Sequence, residues 1–323
     1  MALLNIEDLT MHYDTMEGEV KAVDDVSFTV EKGEAVGLAG ESGCGKSSVA
    51  LSLLKLLPYN ARILKGRIAL AGMDILSMNE TEFRRSIRWK RISMVPQAAM
   101  NALDPVFKIG DQIVEAIMLH EEITEEEARE RATKLLEMVG IDPSRADHYP
   151  HEFSGGMKQR SMIAMALACT PDLVLADEPT TALDVIIQSQ VIKVLKNLQK
   201  VLGLSMILIS HDLSVVGETC DRVAIMYAGK ICEYCRSQEL FESPLHPYTE
   251  GLLSAFPRIR GSKSRLISIP GNPPQLIDPP KACRFHPRCP YARPVCSEID
   301  PDTQETRPMH WTACHKANNH PKY

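Results

Sequence analysis

Short apolar runs alternate with amphipathic stretches along most of this chain. Residues 26–30 alternate polar and apolar side chains with a period of two, and residues 35–39 are a fully apolar run, so both segments are predicted strands. Residues 92–95, 173–176 and 206–209 are further short apolar runs, typical of buried strands. Strands of this kind, separated by helices, indicate a mostly parallel sheet with helices on its faces.

The segments between these strands carry helical patterns. Helices are predicted over residues 46–57, ended by Pro58, over the charged stretch 111–139, over 154–169, and over 181–202. The helical stretch from about residue 98 to 165 interrupts the strand–helix alternation. We therefore predict an inserted helical subdomain there.

The composition changes near the end of the chain. From residue 258 onward proline and cysteine become frequent, and the hydrophobic periodicity disappears. This predicts two parts, a large domain over residues 1–257 and a cysteine-rich C-terminal extension over residues 258–323.

Charge and hydropathy exclude some functions. The net charge is −6 and charged residues make up 24% of the 323 residues, without the basic stripe typical of nucleic-acid binders, so we expect no nucleic-acid partner. No apolar run reaches the length needed to cross a bilayer, and the N-terminus shows no signal-peptide pattern. We therefore expect a cytoplasmic protein whose contact with a membrane depends on a partner.

Residues 40–47, G-E-S-G-C-G-K-S, match the phosphate-loop pattern G-x-x-x-x-G-K-[ST] between a predicted strand and a predicted helix. In such a loop the backbone N–H groups and the helix dipole bind phosphate, the lysine reaches the β- and γ-phosphates, and the serine hydroxyl binds Mg²⁺. The alternative is a chance match in a glycine-rich turn. The predicted nucleotide-binding residues are Gly40, Ser42, Gly43, Cys44, Gly45, Lys46, Ser47 and Ser48.

Two acidic residues follow the apolar run 173–176 and are predicted to complete the Mg²⁺-ATP site. Asp177 lies at the carboxyl end of a strand, where it can hold Mg²⁺ through water, and Glu178 can polarise the attacking water as a general base. The alternative is that both residues are acids at the start of the next helix.

A second helix start has phosphate-binding character. Residues 153–160 read F-S-G-G-M-K-Q-R and open a predicted helix. Because one nucleotide does not need two such ends, we expect this one to serve the ATP of a neighbouring subunit, unless the serine is simply a helix cap. The predicted contacts are Ser154, Gly155, Gly156 and Met157.

Three more polar residues are candidates for the same chemistry. Gln97 ends a predicted strand, where its amide can reach Mg²⁺ or the attacking water. His211 ends another, where it can contact a γ-phosphate, and Asp184 follows Glu178 closely. The alternatives are a loop residue for Gln97, a helix cap for His211 and a solvated helix residue for Asp184.

Together, in this order and spacing, these motifs resemble the nucleotide-binding subunit of ABC transporters over about residues 3–257. The resemblance implies a mostly parallel central sheet with an antiparallel β subdomain and an inserted helical subdomain. It assigns Walker A to residues 40–47, the Q-loop to Gln97, the signature to residues 154–157, Walker B and its catalytic glutamate to Asp177 and Glu178, the D-loop to Asp184 and the switch histidine to His211. Catalysis would then rest on Glu178, His211 and Gln97, and Mg²⁺ on Ser47, Gln97 and Asp177.

Two positions qualify the resemblance. Tyr13 lies where the family has an aromatic residue that stacks on adenine, and the alternative is a strand aromatic packed in the core. The commonest signature, Leu-Ser-Gly-Gly-Gln, has Phe153 and Met157 at its ends here. The Ser-Gly-Gly segment that contacts phosphate is retained, so we expect a competent subunit.

The resemblance also implies a mechanism and partners. Two ATPase subunits meet head to tail, with each ATP between the Walker A of one and the signature of the other. The partners implied are a second ATPase subunit, related but not identical, two transmembrane permease subunits and an extracytoplasmic solute-binding protein, with this chain on the cytoplasmic face. The loop after Gln97, roughly residues 98–110, would transmit the movement to the permease.

The extension resembles the tail of the oligopeptide/dipeptide/nickel importer ATPases, to about residue 316. Its cysteines are Cys283, Cys289, Cys296 and Cys314, a spacing unlike the C-x2-C pairs of structural zinc. Four thiolates suit a [4Fe–4S] cluster or zinc. Family members with such a tail hold a [4Fe–4S] cluster, and we expect one here, with zinc and free thiols as the alternatives.

The sequence leads to three functional hypotheses. The first is an ABC importer ATPase that energises uptake of peptides or a related solute. The second is a soluble ABC ATPase acting on nucleic acid or ribosomes, which the acidic balance and the importer-type tail disfavour. The third is an iron–sulfur redox protein that also binds ATP.

Overall fold

The computed structural model describes residues 2–97, 101–181, 183–255 and 269–319, which form two compact units. Unit 1 comprises Met1–Leu4, Val30–Ala35 and Ala69–Ile209, and unit 2 comprises Asn5–Thr29, Val36–Ile68 and Ser210–Tyr323. The predicted boundary near residue 257 lies outside the described residues, as do residues 98–100, where the loop after Gln97 begins.

The strands are β1 (Ala2–Thr15), β2 (Gly18–Glu31), β3 (Ala35–Ala39), β4 (Ala61–Leu70), β5 (Met73–Asp74), β6 (Ile92–Val95), β7 (Leu173–Asp177), β8 (Ser205–Ser210), β9 (Arg222–Tyr227), β10 (Lys230–Arg236), β11 (Gln304–Arg307) and β12 (His310–Thr312). The helices are α1 (Lys46–Leu53), α2 (Glu80–Ser86), α3 (Ile109–His120), α4 (Glu125–Met138), α5 (Gly155–Ala166), α6 (Val185–Leu202), α7 (Leu213–Thr219), α8 (Ser237–Glu242), α9 (Pro247–Ser254) and α10 (Pro294–Glu298).

Unit 1 contains parallel strands in the order β8-β7-β6. Leu173 is in register with Ile92 on one side and with Ser205 on the other. Every residue of β7 is buried, which explains why these strands are continuous apolar runs rather than alternating ones. The predicted strands at 92–95, 173–176 and 206–209 are confirmed.

The helical part of unit 1 packs α3, α4 and α5 against one another. The predicted helical stretch over residues 111–139 is two helices, because Thr124 and Glu127 form a capping box that starts α4. The Glu127 backbone N–H donates to Thr124 Oγ1 at 3.3 Å, and the Thr124 N–H donates to Glu127 Oε2 at 2.8 Å. Each partner satisfies an N–H group that the helix itself cannot.

Unit 2 contains strands in the order β11-β12-β10-β9-β3, in which β9 and β3 are parallel and β10 pairs antiparallel with both β9 and β12. Strands β2, β1 and β4 lie side by side, also largely within this unit. Within unit 2, backbone pairing joins the C-terminal extension to β10, with Glu233 opposite Thr312 and Tyr234 opposite Trp311. The Tyr234 and Trp311 rings stack with their centroids 5.7 Å apart.

Two predicted helix ends are wrong. Helix α1 stops at Leu53 instead of residue 57, because Lys55 adopts a left-handed backbone with φ of 51°. Helix α6 begins at Val185 instead of residue 181, because Asp184 caps it. None of the described helices is both long enough and apolar enough to cross a bilayer.

Candidate nucleotide-binding site

The predicted phosphate loop lies in unit 2, between β3 and α1. Gly45, the last residue before the helix, has φ of 107°, and a Cβ atom there would lie 2.0 Å from the Ala22 carbonyl oxygen. A side chain at this position would therefore be strained and would collide with the backbone. Ser42 and Gly43, in the middle of the loop, are exposed and open to a ligand.

Lys46 is folded into the loop. It is 5% exposed, and its Nζ donates to the carbonyl oxygens of Gly40 at 2.9 Å and Glu41 at 3.0 Å. Its Nζ also lies 3.7 Å from the sulfur of Cys44. Burial raises the pKa of the Cys44 thiol against the opposing effect of Lys46, so the thiol stays neutral. The ammonium thus has carbonyl partners that phosphate oxygens can replace.

The start of α1 carries the hydroxyl groups of the predicted site. Ser47 is half-buried in its first turn, and the Ser48 hydroxyl lies 3.0 Å from the hydroxyl of Tyr13. Tyr13 is itself half-buried rather than part of the core. Its hydrogen bond anchors the ring beside the phosphate loop, and its stacking on adenine stays a prediction.

The acidic pair lies in unit 1, at the end of β7. Asp177 is 3% exposed and is in register with Ile209 of β8. Glu178 has φ of 47°, and its N–H donates to the Ile209 carbonyl at 2.9 Å. This left-handed turn away from the strand is uncommon for a residue other than glycine and is typical of functional positions.

The Glu178 carboxylate is held by two donors. Its Oε2 accepts hydrogen bonds from the Gln97 amide at 3.0 Å and from the Thr181 hydroxyl at 3.0 Å. The structure thus brings together Gln97 and Glu178, which the sequence predicted separately. Thr181 is a contact that the sequence analysis missed, although its position three residues after Glu178 is the signal that could have shown it.

The signature residues form the N-terminus of α5 in unit 1. Ser154 is exposed, and its Oγ accepts the Met157 N–H at 3.3 Å, so it is the N-cap. Packing requires glycine at position 156, because a Cβ atom on Gly156 would lie 2.5 Å from Cγ2 of Ile187 in α6. Gly155 lies between them and is half-buried. The helix end therefore presents its N–H groups beside an exposed serine.

Asp184 and His211 both lie shortly before a helix. Asp184 Oδ1 accepts the N–H groups of Ile186 at 3.1 Å and Ile187 at 3.0 Å, so Asp184 caps α6. His211 is exposed just after β8. The cap of α7 is its neighbour Asp212 instead, which accepts the Ser214 N–H at 2.8 Å. The structure thus assigns the predicted capping role of His211 to Asp212.

The four cysteines of the extension, here called the cysteine cluster, line one small cavity of unit 2. None of the nine cysteines, all within the described part of the chain, forms a disulfide. Burial raises the pKa of Cys283 to about 12 and that of Cys289 to about 11, and it also raises the pKa of Cys314. A metal must therefore displace protons when it binds here. The donor set and shared cavity fit a thiolate-bound metal group.

A different group of potential ligands lies closer together. Among the described residues, ligand atoms of Glu233, Cys235 and His310 lie within 4.8 Å of one another, and no such trio comes from the cysteine cluster. Glu233 accepts the N–H groups of Leu245 at 2.7 Å and His246 at 3.0 Å, and His310 Nε2 lies 2.6 Å from its Oε1. Although burial opposes ionisation of Glu233, these hydrogen bonds lower its pKa. The Glu233–His310 contact therefore ties β10 to β12, and backbone N–H groups satisfy the Glu233 carboxylate.

Two family models match the chain. One, described as ABC transporter, matches residues 23–181, and the other, described as the C-terminal region of oligopeptide/dipeptide transporters, matches residues 232–296. The oligopeptide transport ATP-binding protein OppD of Escherichia coli (strain K12) is 44% identical over 98% of this chain and 93% of its own length. The chain belongs to the ATP-binding subunits of ABC transporters. The predicted family and the predicted ATPase activity are confirmed.

Other members of this ABC family match the chain to a similar extent. A probable peptide ABC transporter ATP-binding protein, y4tR of Sinorhizobium fredii, is 46% identical over 98% of this chain and 95% of its own length. The dipeptide transport ATP-binding protein DppD of Bacillus subtilis is 44% identical over 97% of this chain and 94% of its own. Both alignments include the cysteine-rich extension as well as the ABC ATPase domain.

Solved structures confirm the predicted ABC fold. The dimeric structure of a post-hydrolysis state of the ATP-binding cassette MJ0796, bound to ADP and Pi, superimposes with a TM-score of 0.64 at 27% identity. The superposition covers 72% of this chain and 98% of the MJ0796 chain. The likeness concerns the cassette, so it provides no test of the extension.

Proposed function

We propose that this chain is the ATP-hydrolysing subunit of an ABC importer that takes up peptides. The observation that carries the proposal is the match to relatives named for oligopeptide and dipeptide transport, which extends through the cassette and the tail alike. None of the relatives described above is named for nucleic acid or ribosomes, and the acidic charge of the chain points the same way.

In this proposal Lys46 and Ser47 bind the nucleotide. Lys46 exchanges its carbonyl partners in the loop for the β- and γ-phosphates, and Ser47 binds Mg²⁺ through its hydroxyl. Asp177 holds Mg²⁺ through water, and Gln97 supplies an amide oxygen to the metal or to the attacking water. Tyr13 stacks on the adenine, supported by its bond to Ser48.

Glu178 acts as the general base that polarises the attacking water. Gln97 and Thr181 donate hydrogen bonds to its Oε2 and so fix the orientation of the carboxylate. His211 contacts the γ-phosphate, which its exposure after β8 allows. Glu178 would then be a positioned base, and His211 would be a group that senses the terminal phosphate.

A second ATPase subunit, related but not identical, completes each site. The exposed Ser154 and the N-terminus of α5 would bind the γ-phosphate of ATP held by that neighbour, and Asp184 would lie at the same interface. The dimeric cassette described above supports such a pairing. Two permease subunits and an extracytoplasmic solute-binding protein complete the importer, with this chain on the cytoplasmic face.

For the cysteine cluster we propose a [4Fe–4S] cluster held by Cys283, Cys289, Cys296 and Cys314. A tetrahedral zinc site with Zn–S bonds of 2.3 Å holds its sulfur atoms about 3.8 Å apart. No three of the four described sulfur atoms lie within 4.8 Å of one another, a wider arrangement than tetrahedral zinc requires, so the four thiolates would hold a [4Fe–4S] cluster here. Such a group supplies one-electron redox chemistry or structural cross-linking when bound.

Transport is the direct test of the function. The chain, assembled with its permease, partner ATPase and binding protein in proteoliposomes, is expected to hydrolyse ATP faster when peptide-loaded binding protein is present, and to accumulate labelled peptide. Turnover stimulated by DNA or RNA but not by peptide-loaded binding protein would contradict the proposal. ATP hydrolysis by an assembly without the binding protein provides the baseline.

Replacing Cys289 with serine is expected to remove the metal group, because one of the four thiolates is lost. Iron and acid-labile sulfide should fall by about tenfold or more relative to the unchanged chain. The matched control is Cys169→Ser, which removes a buried thiol that lies in unit 1 and outside the cysteine cluster. Zinc without sulfide would establish the zinc alternative, and unchanged metal in Cys289→Ser would contradict the site.

A further inference from the structure

Two buried arginines connect the cysteine cluster to the nucleotide-binding loop within unit 2. Arg284 directly follows Cys283, and Arg288 directly precedes Cys289. The two guanidinium side chains belong to residues that are 8% and 7% exposed. Burying a charge costs free energy unless the charge is paired, so the partners of each arginine indicate its role.

Arg288 forms an ion pair with Glu41, a residue of the phosphate loop. Its Nη1 donates to Glu41 Oε2 at 2.7 Å and its Nη2 donates to Glu41 Oε1 at 3.0 Å. Its Nε donates to the Pro270 carbonyl at 2.8 Å, and the hydroxyl of Tyr227 lies 3.3 Å from Nη1. Such a bidentate fork is the strong and directional form of an arginine–carboxylate pair.

The backbone N–H and the carbonyl oxygen of Glu41 are both hydrogen-bonded. Its carbonyl oxygen accepts Lys46 Nζ at 3.0 Å, and its N–H donates to the Tyr248 hydroxyl at 2.9 Å. The Tyr248 ring is buried and lies 5.3 Å from the ring of Phe285, between the two arginines in sequence. The extension therefore contacts the loop through a charge pair and through an aromatic cluster.

Arg284 supports the same loop from the β9–β10 turn. It donates to the carbonyl of Ala228 and pairs with the carboxylate of Asp24. The next residue of the turn, Gly229, donates its N–H to the carbonyl of Cys44 in the phosphate loop at 2.9 Å. Both arginines thus lead, by one or two contacts, to the site of phosphate binding.

The backbone that carries Arg288 is a short turn between two cysteines of the cluster. The His286 N–H donates to the Cys283 carbonyl at 3.1 Å, and the Cys289 N–H donates to the His286 carbonyl at 3.3 Å. A metal group bound to both thiolates would fix this 3₁₀ turn, His286–Arg288, from its two ends. Its loss would release the turn and the arginine with it.

We propose that Arg288 is a positioning residue for the phosphate loop, through which ATP affinity depends on metal occupancy of the cysteine cluster. The inference rests on the proposed ATP and metal sites. When Arg288 is in place, the Glu41 carboxylate is neutralised and held away from the ligand. When Arg288 is lost, that negative charge remains beside the triphosphate and repels it.

The first test is Mg-ATP affinity of the full-length chain carrying Arg288→Gln. We expect the Kd for Mg-ATP to rise about tenfold, with iron content unchanged. Adding Glu41→Gln to this variant should restore part of the affinity, because the unneutralised carboxylate is removed. The matched control, Lys230→Gln, breaks another ion pair of the extension, with Asp300, and should leave the Kd unchanged.

The second test removes the metal. Stripping iron from the unchanged chain with a chelator should raise the Kd to the Arg288→Gln value, whereas stripping the variant should raise it no further. If the unchanged chain binds metal and Mg-ATP but neither treatment alters the Kd, the inference is overturned and the proposed function stands. A chain that binds no metal overturns the inference together with the proposed metal site, whereas a chain that binds no Mg-ATP refutes the proposed function. If Arg288→Gln does not fold, Arg288→Lys, which keeps the charge without the fork, takes its place.

Discussion

Replacing Glu178 with glutamine is expected to stop ATP turnover while leaving ATP bound. The glutamine side chain has nearly the same shape and can keep the hydrogen bond from Thr181, so the local structure should persist. An amide cannot accept the proton of the attacking water, and general-base catalysis is worth about 10²- to 10⁴-fold. Phosphate release by the assembled transporter should fall by a factor in that range, with the Kd for Mg-ATP within about twofold.

Lys46→Ala is the contrasting variant for this experiment. It removes the ammonium that lies inside the phosphate loop, so it should lose ATP binding as well as turnover. Comparing the two variants separates ATP binding from ATP hydrolysis, since Glu178→Gln should retain bound ATP and Lys46→Ala should not. Undiminished hydrolysis by Glu178→Gln would show that another group activates the water.

Replacing Ser154 with glutamate is expected to abolish turnover of the assembled pair without weakening ATP binding to the isolated chain. Ser154 is exposed at the N-terminus of α5 and is proposed to meet the ATP of the neighbouring subunit. A carboxylate placed against a triphosphate costs several kcal/mol. The rate of hydrolysis should therefore fall about 100-fold, since each 1.4 kcal/mol is tenfold.

The matched control is Ser144→Glu, which adds the same charge at another exposed serine of unit 1, near the start of a short helix. It should leave both turnover and ATP binding unchanged. If Ser154→Glu weakens Mg-ATP binding by the isolated chain, the signature acts on the chain's own nucleotide and the head-to-tail arrangement is wrong.

Much of the fold could be predicted because its strands are buried on both faces. Burial on both faces leaves no place for polar side chains along β7. An apolar run that ends at Asp177 therefore predicts both the strand and the position of its functional residue. The phosphate loop was equally visible, since its backbone requires glycine at fixed positions such as Gly45. In both cases a local physical constraint leaves a local sequence pattern.

Other features could not be predicted because they depend on distant partners. Strand β12 has three residues and forms by pairing with β10, some 80 positions earlier in the chain. The Arg288–Glu41 pair spans 247 positions, and neither residue stands out in its own segment. The end of α1 at Leu53 depends on a single left-handed residue, for which Lys55 gives no sequence signal.

The pairing of β12 with β10 has a consequence for how the protein is made. Until residues 310–312 leave the ribosome, β10 has an open edge with unpaired backbone groups, and Glu233 lacks the contact with His310 that helps to satisfy its buried charge. Unit 2 can therefore finish folding only after residues 310–312 have left the ribosome. Nascent chains should consequently depend on chaperones that shield this sheet edge while residues 237–312 are being synthesised.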